Sequence, residues 1–314
     1  MTINLRRLRA LLAVAEQGSV IAAARELNVT QPAVTKAVQD LEADYGVRLF
    51  DRTRAGMLPT PYGAALVRRA KLVFAELGRA DAEVQALREG GAGLLVVGAL
   101  PYARTVLVPR AVSRMLRDHP EVEITIFDGE YERLQEALQA GELDVIVGTV
   151  RMPAELSRLQ RSEVLFHDDL AAVVRSGHPL AGRPAVDLAD LVALTWVLPR
   201  QKSPQGRHFE DLLQARNIGW PRRIVYCDSL AATRGILLES DAVTVVSRHR
   251  VLYEEQVGLL HVLPISLTET RRPIGYALRY DAEPLPTLQR FLDYLRVAAA
   301  EIAPPHLNPR LGSV

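Results

Sequence analysis

The spacing of apolar positions changes three times along the chain. Leu5, Leu8, Leu11, Leu12 and Ala15 share one helical face; Gly18 ends that helix, and Ser19 is placed to cap the next. Ser19 to Leu27 reads as a short Ala-rich helix and Asn28-Val29-Thr30 as a turn. A third helix is predicted from about Gln31 to Tyr45. Thr30 is its cap, and Pro32 sits where a missing N–H does little harm. Val34, Val38 and Leu41 face inward, and Gln31, Ala33, Thr35, Lys36 and Gln39 face out. Two apolar segments, Val47 to Phe50 and Met57 to Thr60, flank the basic loop Asp51 to Gly56 and predict a β-hairpin.

From Pro61 to Glu89 the period changes. Leu66, Ala70, Val73, Leu77, Ala80, Val84 and Leu87 are spaced 4, 3, 4, 3, 4, 3, a heptad pattern on a helix of roughly 43 Å. A helix with this single stripe has too little core of its own, which predicts a helix-to-helix dimer, with packing against its own domain as the alternative. The Gly90-Gly91-Ala92-Gly93 stretch then breaks the pattern.

Beyond it, strand-like runs alternate with helical ones. Strand 94–98, helix 105–118, strand 122–127, helix 130–140 and strand 143–148 follow βαβαβ order, which predicts a parallel sheet with ligand loops at the strands' carboxyl ends. Those loops are Leu100 to Arg104 and Thr149 to Arg151. A second set comprises strands 170–174, 196–198, 223–227 and 243–246, with loop Pro199 to Gln205 and turn Asp228-Ser229. A strand near 274–278 and a helix over 288–300 return to the first set.

Composition narrows the classes. The 314 residues suggest about two domains, and 48% hydrophobic with 24% charged residues is globular. The basic residues are 35 Arg and only Lys36, Lys71 and Lys202, a bias that fits a GC-rich coding genome. Net charge is +1, split as +3 over residues 1–90 (13 basic, 10 acidic) and −2 over the rest (25 and 27). That basic excess is too mild to predict nucleic-acid binding alone. Cys227 is the single cysteine, which excludes a disulfide framework and cysteine-rich metal sites and fits a cytoplasmic setting. No apolar run approaches the ~20 residues of a membrane span, and Met1 to Leu12 does not read as a signal peptide. The seven histidines show no metal-like spacing, so no metal or cofactor is expected. His167-Asp168-Asp169 is the densest polar cluster, and Cys227 has no histidine near it in sequence, so no catalytic set emerges.

Two short helices joined by a tight turn, the second polar at its N-terminal end, match a helix-turn-helix layout. The pattern alone also fits a helical domain with a solvated basic loop. Its residues resemble the N-terminal signature of LysR-type transcriptional regulators. The match runs through Ser19, Ala22, Ala23, Leu27, Thr30 to Thr35, Leu41, Glu42, Gly46, Leu49, Phe50, Arg52, Thr60 and Gly63, with a departure at Pro61-Tyr62.

The resemblance implies an α+β multidomain chain. A winged helix-turn-helix domain would occupy residues 1–60, a linker helix for dimerisation 61–90, and an α/β effector domain similar to periplasmic binding proteins 91–314. In the last, subdomain I would span about 91–165 and 267–300, and subdomain II about 166–266. The implied DNA-binding set is Ser19, Thr30, Gln31, Pro32, Ala33, Thr35, Lys36, Arg52 and Arg54. Gln31, Ala33, Thr35 and Lys36 match major-groove positions, Thr30 and Arg52 backbone-contacting ones, and Pro32 is read as helix geometry. The implied effector-binding set is Pro101, Tyr102, Ala103, Arg104, Thr149, Pro199, Arg200, Gln201, Lys202, Ser203 and Ser229. Helix N-termini at 102–105 and 203–206, with Arg104, Arg200 and Lys202, would favour a small organic acid. Tyr102 stands where the family often has Ser or Thr. The implied partners are promoter DNA, a small-molecule effector, RNA polymerase and further copies of the chain, as homodimer or homotetramer, and no membrane.

Overall fold

The computed structural model describes residues 4–54, 56–88, 93–151, 160–201, 203–280 and 282–302. Two compact units emerge: residues 1–96 with 121–125 and 131–144, and residues 97–120 with 126–130 and 145–314.

The first unit opens with α1 (Leu5–Gln17), α2 (Val20–Glu26) and α3 (Gln31–Tyr45). Gly18 and Gly46 end α1 and α3 in the left-handed conformation, and the Ser19 hydroxyl accepts the Ala22 N–H. Thr30 occupies the cap position of α3, but its side chain makes no capping bond, contrary to expectation. The hairpin is β1 (Phe50–Thr53) with β2 (Gly56–Pro59). Asp51 and Arg52 therefore lie in a strand rather than in the expected loop; Arg52 pairs in register with Met57. Glu42 sets where the hairpin starts, because its carboxylate accepts the Leu49 N–H at 2.7 Å.

Helix α4 (Pro61–Arg88) follows directly. The Thr60 hydroxyl donates to the Arg48 carbonyl at 2.7 Å and accepts the Gly63 N–H at 3.1 Å. A Cβ on Gly63 would lie 1.9 Å from the Leu49 carbonyl oxygen, so only glycine lets α4 pass this close to the hairpin. Ala70 is buried in one core with Leu8, Leu11, Val14, Ala23, Val34, Val38, Leu41 and Leu49, and Leu66, Val67 and Phe74 pack against that core. The heptad stripe is thus divided. Leu66 and Ala70 serve the chain's own domain, whereas Val73, Leu77 and Val84 are 40%, 43% and 57% exposed. The side chain of Leu87 lies outside the described residues.

Residues 131–144 carry α6 (Tyr131–Gln139) and a turn that α4 grips. Arg79 of α4 donates to the carbonyls of Gly141 and Leu143 and pairs with Asp144 at 2.8 Å. Asp144 in turn accepts the Val96 N–H at 2.7 Å.

The remaining strands form two five-stranded sheets. The first, β3 (Leu94–Ala99), β4 (Glu123–Asp128), β5 (Val145–Thr149), β6 (Gln160–Asp168) and β12 (Arg272–Arg279), has the order β4-β3-β5-β12-β6. The second, β7 (Leu170–Arg175), β8 (Thr195–Leu198), β9 (Arg223–Tyr226), β10 (Val243–Ser247) and β11 (Leu260–Val262), has the order β11-β7-β10-β8-β9. Both sheets are mixed rather than parallel. β3 runs parallel to β5, but β12 is antiparallel to β5 and β6, and β7 is antiparallel to β10 and β11. The reason is connectivity: β6, β7, β11 and β12 carry the chain between sheets without crossover helices. β6 was absent from the sequence reading because Gln160-Arg161-Ser162-Glu163 lacks apolar alternation.

The helices of the second unit are α5 (Leu107–Asp118), α7 (Leu188–Leu191), α8 (Pro204–Ala215), α9 (Leu230–Leu238), α10 (Leu252–Gln256) and α11 (Pro286–Ile302). In the core around the second sheet, Trp196 is buried 5.0 Å from Phe209, and its indole N–H donates to the Leu191 carbonyl. Asp169 alone separates β6 from β7, so the first sheet hands over to the second there.

Candidate DNA interface and ligand site

The face of α3 opposite Val34, Val38 and Leu41 is open. Gln31, Pro32, Ala33 and Lys36 are exposed, and Thr35 is half-buried. Thr30, Arg52 and Arg54 are exposed, and Ser19 is half-buried. Lys36, Arg52 and Arg54 form no ion pair among the described residues, unlike Arg7, which is held by Asp40 and Asp44. The helix start therefore presents an amide, a hydroxyl and an ammonium, groups able to meet base edges. The hairpin adds two guanidinium groups suited to phosphate.

The expected ligand loops behave differently. Pro101 to Val106 form turns, and α5 starts at Leu107, two residues later than expected. The N–H groups of Ala103 and Arg104 both donate to the Leu100 carbonyl, so the anion-binding helix N-terminus expected at 102–105 is already occupied by its own chain. Likewise the Ser203 hydroxyl accepts the Gly206 N–H at 3.1 Å. Arg104 is paired with Asp128. Arg200 is paired with Asp228 at 2.8 Å and largely solvated, its side chain 78% exposed. Ser229 caps α9 through the Ala232 N–H. Lys202 lies outside the described residues. Among the described residues no hydrogen bond or ion pair joins Pro199, Arg200, Gln201, Ser203 or Ser229 to Pro101–Arg104.

What gathers around Tyr102 instead is a buried polar cluster at the strand ends where the two sheets exchange chain. The Tyr102 hydroxyl accepts from Arg272 Nη1 at 3.1 Å, and the Arg272 guanidinium lies 4.2 Å from the ring centroid. Arg272 Nη2 donates to the Ser247 hydroxyl at 3.3 Å, and its Nε stands 3.8 Å from Asp168. His249 Nδ1 is 3.0 Å from Asp168, while its Nε2 meets the Tyr102 carbonyl oxygen. Arg250, on the 3-10 turn Arg248–Val251, completes the cluster and is 4% exposed. Thr149, at the carboxyl end of β5, has a buried hydroxyl without a hydrogen-bond partner.

Burial works against the Asp168 carboxylate, but His249 and Arg272 outweigh it and hold its pKa below the ordinary value. Burial pushes the Tyr102 phenol up against the pull of Arg272 and Arg250. Burial, with Arg104 and Arg272 nearby, brings the Arg250 guanidinium down to about 10.

Of this cluster the sequence reading named Tyr102 and Thr149 and noted Asp168 only as part of a polar run. Arg250, Arg272, His249 and Ser247 were missed. A signal did exist. Arg248-His249-Arg250 follows the Val-rich strand 243–246 after Ser247, and Arg271-Arg272 opens the segment that leads through Pro273 into Ile274.

Comparison with known proteins agrees with both halves. Residues 5–64 match the model of the bacterial regulatory helix-turn-helix protein, lysR family, and residues 88–300 match the LysR substrate binding domain. The chain therefore belongs to the LysR family of DNA-binding transcriptional regulators, with an effector-binding domain after its helix-turn-helix. It is 32% identical over 302 residues to the transcriptional regulator PcaQ of Agrobacterium fabrum, covering 96% of each chain. To the regulator GalR of Pseudomonas putida it is 31% identical over 274 residues, 87% of this chain and 68% of that one. Among solved structures, full-length CbnR complexed with its target DNA superposes with a TM-score of 0.64 at 25% identity, over 94% of this chain and 100% of that one. No helix among the described residues is long and apolar enough to cross a membrane.

Proposed function

We propose that this regulator binds promoter DNA as a homodimer or homotetramer in the cytoplasm, and that a small organic acid, aromatic acid or sugar-derived metabolite modulates that binding. The observation that carries the DNA half is the open polar start of α3, together with exposed Arg52 and Arg54, which form no ion pair among the described residues. In this reading Gln31, Ala33, Thr35 and Lys36 enter the major groove, and Thr30, Arg52 and Arg54 hold the backbone. Ser19 and Pro32 keep α2 and α3 in shape.

Exposed Val73, Leu77 and Val84 on α4 support self-association, because an apolar stripe facing water favours a second copy. Paired recognition helices then meet two half-sites one or more helical turns apart. An effector acts through its differential affinity for two arrangements of the assembly, changing DNA bending and contact with RNA polymerase. Arg79, which ties α4 to the turn before β5, is the residue through which such a change reaches the linker. A mobility-shift titration against DNA upstream of the chain's own gene, with sedimentation of the free protein, tests this. Retarded, salt-sensitive complexes and a dimer or tetramer are expected; a monomer without sequence preference contradicts the reading.

A further inference from the structure

We infer that Arg250 is the anchoring residue for the carboxylate of a small ligand, with Thr149 at the same sheet end offering a hydroxyl. This inference rests on the effector-binding reading and names the group that recognises the effector.

Arg250 is 4% exposed, its Nε is buried without a hydrogen-bond partner, and among the described residues its guanidinium forms no ion pair. Buried charges are normally paired, since removal from water without compensation is strongly unfavourable. Its neighbours sharpen the point. Arg104 and Arg272 are like charges, and Asp168, whose charge also acts on Arg250, is held by His249 and stands 3.8 Å from Arg272. The other cations of the cluster are committed: Arg272 to Tyr102 and Ser247, Arg104 to Asp128. Among the described residues, no hydrogen bond or ion pair engages the Arg250 guanidinium.

That fork matches a carboxylate in bidentate geometry, which lysine or a single hydroxyl cannot reproduce. A carboxylate fits better than a phosphate dianion, because one free guanidinium beside the Asp168 carboxylate can balance one negative charge. Thr149 lies opposite Ile274 on the adjoining strand, two residues along from Arg272, and its buried hydroxyl is unpartnered. It can bond a second oxygen of the ligand. The expected anchors Arg200 and Lys202 are not needed for this arrangement.

A binding arginine and a structural arginine respond oppositely to removal. A structural one leaves partners unsatisfied, and its loss destabilises the protein. An unpartnered one burdens the unliganded fold, and its loss stabilises it. The test is thermal unfolding of the full-length chain, wild type against Arg250→Gln and Arg250→Met. Sodium acetate is titrated against acetamide plus sodium chloride at equal ionic strength, with inorganic phosphate as a third series.

Acetate should raise the wild-type Tm progressively, and acetamide should not. Both variants should show an unliganded Tm higher than wild type by about 2–4 °C and no acetate shift. The inference is overturned if acetate does no more than acetamide, if phosphate stabilises more than acetate, if both variants lower the unliganded Tm, or if they keep the acetate shift. Operator binding by the wild-type chain is measured separately. Its absence would sink the regulator reading while the acetate series still reports on Arg250.

Discussion

Asp168 and His249, 81 residues apart in sequence, meet side chain to side chain at 3.0 Å, both buried, where β6 ends and β10 gives way to its 3-10 turn. The pair joins elements of the two sheets, and the same histidine reaches the backbone of Tyr102. Tyr102 is therefore tied through His249 to the crossover between the sheets.

Removing the acid from this pair should be severe. Asp168→Asn leaves the buried Arg272 without its counter-charge, and breaking one partner of a buried pair costs about 3–5 kcal/mol. The pH dependence follows from the lowered Asp168 pKa. Its stabilisation is fully present above the unfolded-state value, about 3.9, and is lost as pH falls through the lower folded-state value. The gap in Tm between wild type and Asp168→Asn should hold steady from pH 7 to 5 and narrow below about pH 4. Differential scanning fluorimetry across that range checks it; a gap that widens in acid contradicts the account.

Gly63→Ala should damage the DNA-binding unit. The added Cβ has to displace the Leu49 carbonyl, which the geometry places 1.9 Å away. A loss of about 1–3 kcal/mol is expected, with weakened operator binding. Circular dichroism under urea, next to a mobility shift, measures both. Gly78→Ala is the matched control, since nothing lies within 4 Å of its would-be Cβ.

Arg79→Ala should uncouple the linker from the turn it grips. It removes donors from the Gly141 and Leu143 carbonyls and the pair with Asp144. The group is partly exposed, so the stability loss should be modest, about 1 kcal/mol. The larger effect should be on signalling: a ligand that binds normally but no longer alters the DNase I footprint. Calorimetric binding beside footprinting separates the two.

Base reading and phosphate holding predict different phenotypes. Gln31→Ala should lose about 1–3 kcal/mol at one base position and relax the preference there. Arg52→Ala should weaken all sequences alike and lower the salt slope by about 1. Competition titrations over a set of operator variants at several salt concentrations distinguish them.

The elements were largely legible in the sequence because local rules fixed them. Gly18, Ser19 and Pro32 mark helix ends, and the 4-3 spacing marks α4. What was not legible depended on long-range pairing. β6 carries no alternation of its own and is a strand because β12 lies beside it. The split of the heptad stripe between the core and the exposed face depends on how α4 packs. The buried polar cluster around Tyr102 was the least legible. Arg250, Arg272 and His249 come from segments far from Tyr102 in sequence, and nothing local distinguishes them from solvated cations. Conversely, Arg104 and Arg200 looked available only because the sequence does not show that Asp128 and Asp228 face them.

The most direct test of the central claim, that this chain is a DNA-binding regulator whose promoter complex responds to a small acid, is DNase I footprinting. Titrated protein is placed on the DNA upstream of its own gene, with and without a panel of organic acids, aromatic acids and sugars. A protected interrupted palindrome is expected, whose extent changes with one carboxylate compound and not with its amide. Specific protection that no compound alters, or no specific protection at moderate salt, would contradict that claim.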